Sequence, residues 1–210
     1  MDKETISFLK LELQQPRILV LRVPGFLKES IIGEITHLAD SLGLYLYIFS
    51  KQFGRSVNLT EASVYRAVIK LLEVYDPYAY LNIKGSVKTL EEILSNYFLV
   101  WSERPSPVAE TAFKALLFAQ KLLSEEGLHS PGCPTDPLSA ALVIEAINNE
   151  HNGKARAVAV FDCGIVVSED TLRQVVSVPL FVKPIFVTEA REVITLGKGK
   201  QPLSYTYLSL

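Results

Sequence analysis

The chain has few of the residues that define several classes of protein. Its 210 residues include two cysteines, Cys133 and Cys163, and three histidines. Two isolated cysteines are too few for a disulfide scaffold or for zinc ligation by Cys-x-x-Cys pairs, so a reducing interior is expected. No run approaches about 18 uninterrupted apolar residues, and the polar start Met1-Asp2-Lys3-Glu4 does not resemble a secretory signal. These features predict an intracellular, cytoplasmic protein without a membrane-spanning segment.

An excess of charge of one sign is also missing. The 21 Lys and Arg residues are balanced by 23 Asp and Glu residues, which leaves a formal net charge of -2. This balance disfavours a strongly basic protein that binds nucleic acid without regard to sequence, although a local basic patch would not change the total. With 49% hydrophobic and 21% charged residues, the chain has the composition of a folded protein with a large core.

The sequence motifs of common enzyme classes are absent as well. There is no Gly-x-Gly-x-x-Gly, phosphate loop, nucleophile elbow or His-Glu-x-x-His, so dinucleotide redox chemistry, nucleotide hydrolysis, triad hydrolysis and zinc proteolysis lack their signatures. The run Gly197-Lys198-Gly199-Lys200 could hold phosphate, but a solvated hairpin loop is the better interpretation. We therefore predict neither a cofactor nor a metal site.

The chain begins with alternating strand and helix patterns. Residues 17–23 form a short β-branched run that Pro24-Gly25 closes, which is typical of a strand. From 31 to 42, apolar residues recur at three- and four-residue steps, as on one face of a helix. A second strand pattern covers 44–49. The first fifty residues thus predict a β-α-β unit.

Helix patterns dominate the middle of the chain. Asn58 or Thr60 can cap one helix, and Thr89 with Glu92 has the spacing of a capping box. A third helix is predicted from 113 to 123.

The last third of the chain returns to strand patterns. The apolar stretch 138–147 fits either a strand or a buried helix, because continuous apolarity has no period. A strand at 156–161, a helix capped by Ser168 and a strand at 181–188 follow it, and the hairpin loop at 197–200 leads to an apolar C-terminus.

Three polar residues in or beside the strands are candidates for function. Lys183 lies within the apolar run 181–186, where an unpaired ammonium is costly, so it belongs to a strand edge or to a site. Asp162 directly follows an apolar strand and would either cap a turn or belong to an interface or active site. His151, in a polar turn before that strand, could present a general base or be a plain surface histidine.

The order of these elements resembles the tRNA-intron (splicing) endonuclease family. From 155 to 210, a strand, an acidic loop, a helix, a strand with Lys183, a hairpin and a last strand follow one another, and the closing Tyr207-Leu208-Ser209-Leu210 is especially similar. The resemblance extends upstream to residue 53 through Phe53-Gly54, Leu59-Thr60-Glu61-Ala62, Gly85, Leu90-Glu91-Glu92 and a connecting helix at 113–128.

The resemblance implies a structural subunit without catalytic activity. Catalytic subunits of the family cleave intron boundaries with a tyrosine, a histidine and a lysine, leaving a 2′,3′-cyclic phosphate. Here Lys183 matches the lysine and His151 lies near the place of the histidine, but no tyrosine occurs between Tyr97 and Tyr205. The implied partners are a catalytic endonuclease subunit, in an α2β2 hetero-oligomer, and precursor tRNA bound through the complex.

The resemblance also implies which residues make contacts. An acidic loop would enter a basic cleft of the other subunit pair, and the last strand would pair with that of the partner. The expected interface residues are Asp162, Glu169, Asp170, Tyr205, Tyr207, Leu208 and Leu210. Arg173 and Lys183 are the expected RNA contacts.

Together, pattern and resemblance predict an α/β fold of two domains. The N-terminal domain, 1–105, would consist of a β-α-β extension at 1–52 and a helical and strand region at 53–105. The C-terminal domain, 106–210, would be nuclease-like, a mixed sheet with helices. The proline-rich segment 102–108 would be the linker or an exposed turn between them.

Two other functions are compatible with the sequence. A divergent metal-dependent nuclease would use Glu145 and Asp162 as carboxylate ligands and Lys183 as its catalytic lysine. Alternatively, the chain would be a non-catalytic interaction module of an unrelated assembly.

Overall fold

A computed structural model of the chain has an α/β fold in which helices outnumber strands among the described residues. The structure describes 17–22, 29–50, 59–83, 85, 89–123, 132–134, 136–162, 175, 183–187 and 193–195, together with positions 3, 7, 10 and 11. None of the helices in this described part combines the length and apolarity that crossing a bilayer requires.

The predicted β-α-β unit is present at the start of the fold. Strand β1 (Arg17–Arg22) leads to helix α1 (Glu29–Leu42), and strand β2 (Tyr45–Ser50) follows. The α1 residues that recur at helical spacing are buried: Ile32, Ile35, Leu38 and Ala39. Gly43 has a φ of 64°, the left-handed conformation that ends a helix without the strain of a Cβ.

Among the described residues, five helices lie between β2 and the next strand. They are α2 (Glu61–Tyr75), α3 (Pro77–Ile83), α4 (Leu90–Glu103), α5 (Pro107–Leu123) and α6 (Pro137–Glu150). The Thr60 side chain accepts a hydrogen bond from the Ser63 backbone N–H, which makes it the cap of α2. The predicted capping box is confirmed, because Thr89 and Glu92 bond each other's backbone N–H groups.

Helix α6 resolves the ambiguity of the stretch 138–147. Every residue of α6 from Leu138 to Asn148 is buried, and α2 and α5 pack against it. A helix enclosed on all sides has no polar face, so its sequence carries no amphipathic period. Asp136 starts it by accepting the Ser139 N–H at 2.9 Å.

In the part of the chain that the structure describes, five strands form a single sheet in the order β2-β3-β1-β4-β5. The last three are β3 (Ala157–Asp162), β4 (Lys183–Val187) and β5 (Val193–Thr195). Strands β2, β3, β1 and β4 run parallel, and β5 is antiparallel to β4. The predicted strand order along the chain is therefore present, but β3 and β4 are not neighbours, since β1 lies between them.

The two-domain organisation predicted from the sequence is not confirmed. Strand β1, from the proposed N-terminal domain, pairs with β3 and β4 from the proposed C-terminal one. One continuous cluster of buried residues extends from Ile18 to Val175. Residues 104–106, at the proposed boundary, form a short turn between two helices that pack on each other. The chain therefore builds one sheet and one core across this boundary.

Candidate functional site

Lys183 lies at the amino end and Asp162 at the carboxyl end of the parallel strands. Lys183 is the first residue of β4 and pairs in register with Arg17, whereas Asp162 is the last residue of β3 and pairs with Ser50. At about 3.3 Å per residue, the two backbone positions are separated by roughly 20 Å along the strand direction. The sheet therefore does not bring the two residues into one site.

The other predicted contact residues lie outside the described residues. They are Glu169, Asp170, Arg173, Tyr205, Tyr207, Leu208 and Leu210, and the hairpin loop at 197–200 belongs with them. Their interface and RNA-binding roles stay predictions.

His151 lies in a cluster of polar and aromatic side chains at the amino end of β2. Its Nε2 atom is 2.8 Å from the hydroxyl oxygen of Tyr47. The centroid of its ring is 4.3 Å from that of Tyr45, the first residue of the strand, and the two rings are tilted by 37°. Burial lowers the pKa of His151, although the negative charge of Glu150 works in the opposite direction. Burial, with smaller effects of Glu150 and Tyr45, raises the pKa of Tyr47 to about 12. A protonated phenol therefore faces a neutral imidazole at pH 7, and the Tyr47 hydroxyl can donate to Nε2.

Glu150, beside this histidine, ties the end of α6 to the start of α2. Its carboxylate accepts hydrogen bonds from the Thr60 backbone N–H at 2.9 Å and the Thr60 hydroxyl at 2.8 Å. Burial favours its neutral form, but these bonds, one from Ser63 and the charge of His151 together lower its pKa. The Asn149 amide also donates to the Ser63 carbonyl at 3.1 Å. The carboxylate is thus engaged in joining two helices.

The His151 cluster does not form the catalytic set of the endonuclease family. Strands β2 and β4 are three positions apart in the sheet, so Tyr47 and Lys183 belong to strands separated by about 14 Å. A tyrosine with a pKa of about 12 is a poor base near neutral pH. We interpret the cluster as a tether between β2 and α6.

The tether should make folding stability depend on pH. Because the pKa of His151 is lowered in the folded protein, the unfolded chain takes up a proton first as the pH falls. The free energy of unfolding should therefore decrease below about pH 6.5, the ordinary histidine value. Urea unfolding at neutral and mildly acidic pH should show a flatter profile for His151→Gln than for the wild type. The exposed His37 provides the control, since His37→Gln should keep the wild-type slope; equal slopes in wild type and His151→Gln would contradict this expectation.

The carboxyl edge of the sheet contains the point where the chain reverses its winding. The chain passes β3 on its way from β1 to β2, and it passes β1 on its way from β3 to β4. The connections that leave the neighbouring strands β1 and β3 therefore run in opposite directions across the sheet. Ligands of open α/β sheets bind outside the carboxyl ends of the strands at such a point. Asp162 ends β3 at this edge.

Cys133 is also placed near the carboxyl edge. Its Sγ atom lies 2.9 Å from the carbonyl oxygen of Phe49 in β2. Cys133 is disulfide-bonded, and the chain's other cysteine, Cys163, directly follows β3 in the sequence. The expectation of a reducing interior, based on the small number of cysteines, does not account for this bond.

A metal centre is not formed by the described residues. They contain no group of three or more His, Cys, Asp or Glu side chains that could hold an ion. Glu145, the other ligand of the metal-nuclease hypothesis, is buried within α6 at 4% exposure. The 20 Å between the backbone positions of Asp162 and Lys183 also argues against that hypothesis.

Exposed apolar side chains line a groove between α4 and α5. Its walls are Leu94, Phe98 and Leu99 from α4 and Phe113 and Leu117 from α5, and its volume is about 530 Å³. Phe98, Leu99 and Leu117 are 49%, 59% and 39% exposed. We call this surface the α4–α5 groove.

Packed aromatic rings hold the groove in shape. Trp101 stacks on Phe113 at 5.3 Å, and Phe98 contacts both rings at about 6 Å. Beneath them the fully buried Tyr97 donates its hydroxyl to Asp76 at 2.7 Å. Burial, followed by this hydrogen bond and the charge of Asp76, raises the pKa of Tyr97. The walls of the groove are therefore supported by packed aromatic rings.

Comparison with known proteins identifies no relative of the chain: no family model, curated protein or solved structure matches it.

Neither the groove nor the tether is among the features that the sequence patterns predict. The inner residues of α4, Leu90, Ile93, Leu94 and Tyr97, account for one apolar face, yet Phe98, Leu99 and Trp101 add a second. This second face is visible in the sequence as apolar residues outside the inner face. Tyr47 and His151 are 104 residues apart, and no local pattern joins them.

Proposed function

We propose that the protein is a non-catalytic subunit that binds a partner protein through the α4–α5 groove. The observation that carries this proposal is the exposure of Phe98, Leu99 and Leu117 along one groove. Large apolar side chains in water are unfavourable, and a partner that covers them gains about 25 cal/mol per Å² of buried apolar area.

The arrangement of the predicted catalytic residues also favours a non-catalytic role. A tRNA-intron cleavage site needs a base, an acid and a cation around one phosphate. His151 lies beside the outer strand β2, and Lys183 begins a strand three positions away. The described residues thus do not bring a base, an acid and a cation together around one phosphate.

The assembly is proposed to be a tRNA-splicing endonuclease, on the basis of the sequence resemblance. Isolated protein should not cleave an RNA with a bulge-helix-bulge, whereas a mixture with a catalytic subunit should. Metal-independent cleavage by the purified chain alone would overturn the proposal.

The role of Lys183 can be tested within the same complex. Lys183→Ala should leave single-turnover cleavage nearly unchanged, because the proposal gives this residue no part in the chemistry. A loss of about 10²-fold, as expected for removing a charge-stabilising group, would show that Lys183 is catalytic.

The winding of the sheet favours a second candidate function, the binding of a phosphate-bearing small molecule. Helix α1 follows β1, so its N-terminus is directed to the carboxyl edge, and helix N-termini attract anions there. ATP, GTP or inorganic phosphate at millimolar concentration should then raise the unfolding temperature. This candidate is wrong if none of the three does so.

A further inference from the structure

The shape of the α4–α5 groove restricts what can fill it. Its α4 wall extends over Glu91 to Leu99, about two helical turns or roughly 12 Å at 1.5 Å per residue. Helices α4 and α5 are joined by a three-residue turn at 104–106, so they run antiparallel and leave a trough between them. An α-helix with an apolar stripe is a common occupant of such a trough.

The size of the groove argues against a second copy of the chain. A stable pair of folded proteins buries about 800 Å² on each partner. A groove about two helical turns long is much smaller than such a face, and it suits a single helix from a partner better than a symmetric dimer face.

Charge along the groove defines the polarity of the occupant. Because α4 and α5 are antiparallel, Glu91 near the start of α4 lies at the same end as Gln120 near the end of α5. Ser95 and Gln120 are neutral, and Glu91 is the one charged side chain among the described residues of the lining. The apolar residues Phe98, Leu99 and Phe113 lie toward the other end, which is the end nearer the turn at 104–106. A bound helix would therefore place a basic residue at the Glu91 end of its apolar stripe.

We infer that the α4–α5 groove binds an amphipathic helix of a partner protein, with apolar residues at i, i+3 or i+4 and i+7 and a Lys or Arg at the Glu91 end. This inference rests on the proposed function and specifies the partner's chemistry. The apolar stripe of the bound helix fits between Phe98 and Leu117, and the Lys or Arg of that helix complements the Glu91 carboxylate.

Selection from a displayed library of randomised helical peptides tests this inference on the full chain. Leu117→Asp serves as the counter-selection, because a carboxylate placed against the bound stripe must be desolvated. Peptides that carry the apolar stripe and a basic end should be enriched on the wild type. Their affinity should fall by at least about tenfold on Leu117→Asp and on Leu99→Asp. Leu81, 63% exposed on α3 and outside the groove, gives the matched control, since Leu81→Asp should bind as the wild type does.

Charge reversal at the rim tests the orientation. Glu91→Lys should weaken the basic-ended peptides by about two- to fivefold, as expected for an exposed ion pair, and acidic-ended variants should gain. Urea unfolding of each variant separates lost binding from lost folding.

Three results would overturn the inference. One is enrichment of extended or uncharged sequences, and another is equal binding to the wild type and Leu117→Asp. The third is a concentration-dependent dimer that Leu117→Asp dissociates, because a second copy would then be the occupant. If instead a stoichiometric partner chain binds the wild type and Leu117→Asp equally well, the protein is still a binding subunit and only the site assignment fails.

Discussion

Tyr97→Ala should destabilise the protein by about 3–5 kcal/mol, the range for removing a fully buried aromatic side chain. The ring lies between α4 and α5 at 0% exposure, and its hydroxyl bonds Asp76 at 2.7 Å. Asp76 also accepts the Ala79 N–H at 3.2 Å, so Tyr97 holds the residue that starts α3. Most domains have only 5–15 kcal/mol of stability, so this one substitution would remove a large part of it.

Urea unfolding measures this loss, and two variants identify its source. Tyr97→Phe keeps the ring and removes the hydroxyl, so we expect about 1.5–3 kcal/mol, the contribution of a hydrogen bond to a charged group. Tyr78→Phe, at a tyrosine that is 48% exposed, should change stability by less than about 0.5 kcal/mol. A Tyr97→Phe variant as stable as the wild type would show that the Asp76 bond contributes nothing.

Phe161→Ala should have a comparable effect, about 3–5 kcal/mol, and tests the sheet. Phe161 is 1% exposed in β3, and its ring is 5.3 Å from that of Phe49 in β2, which is fully buried. The two residues are partners in the parallel register of β2 and β3. Removing either ring should leave a cavity that the packed sheet and helices cannot close.

A double-mutant cycle checks the pairing directly. Phe49→Ala and Phe161→Ala together should destabilise less than the sum of the single changes, with a coupling of about 0.5–1.5 kcal/mol for an aromatic pair. Leu81→Ala, on an exposed side chain, should stay within about 0.5 kcal/mol of the wild type. Additive losses would mean that β2 and β3 do not meet in this register.

Elements with a local signal could be predicted from the sequence. The β-α-β unit at 17–50 follows from a β-branched run, a helical period and Gly43. The caps at Thr60 and Thr89 follow from the spacing of side chains that bond free N–H groups at a helix start. Each of these signals lies within a few residues of the structure it predicts.

Strand order had no such signal. That β1 lies between β3 and β4 depends on pairing between residues more than 130 positions apart, such as Ile18 with Ala157 and Pro184. A proline-containing segment near 105 indicates a break in secondary structure, and the break is a short turn between two helices of one core. This is why the predicted division into two domains is not confirmed.

The candidate site was only partly accessible to sequence reasoning. The polar turn before β3 indicates His151 as a candidate, but its neighbour Tyr47 belongs to a strand 104 residues earlier. The α4–α5 groove is formed by side chains of two helices, so no single segment predicts it. The apolar pair Phe98-Leu99, outside the inner face of α4, is the part of the groove that the sequence indicates. Apolar positions beyond those that one buried face of a helix requires therefore indicate a second contact surface.

Reconstitution with a purified partner tests the central claim most directly. The full chain, purified from its source, should carry one stoichiometric partner chain, and sedimentation of the two purified proteins should re-form their complex. Leu117→Asp should fold normally and fail to form this complex at concentrations where Leu81→Asp still does. A wild-type chain that has no stoichiometric partner, or a partner that binds Leu117→Asp as tightly as the wild type, would contradict the account.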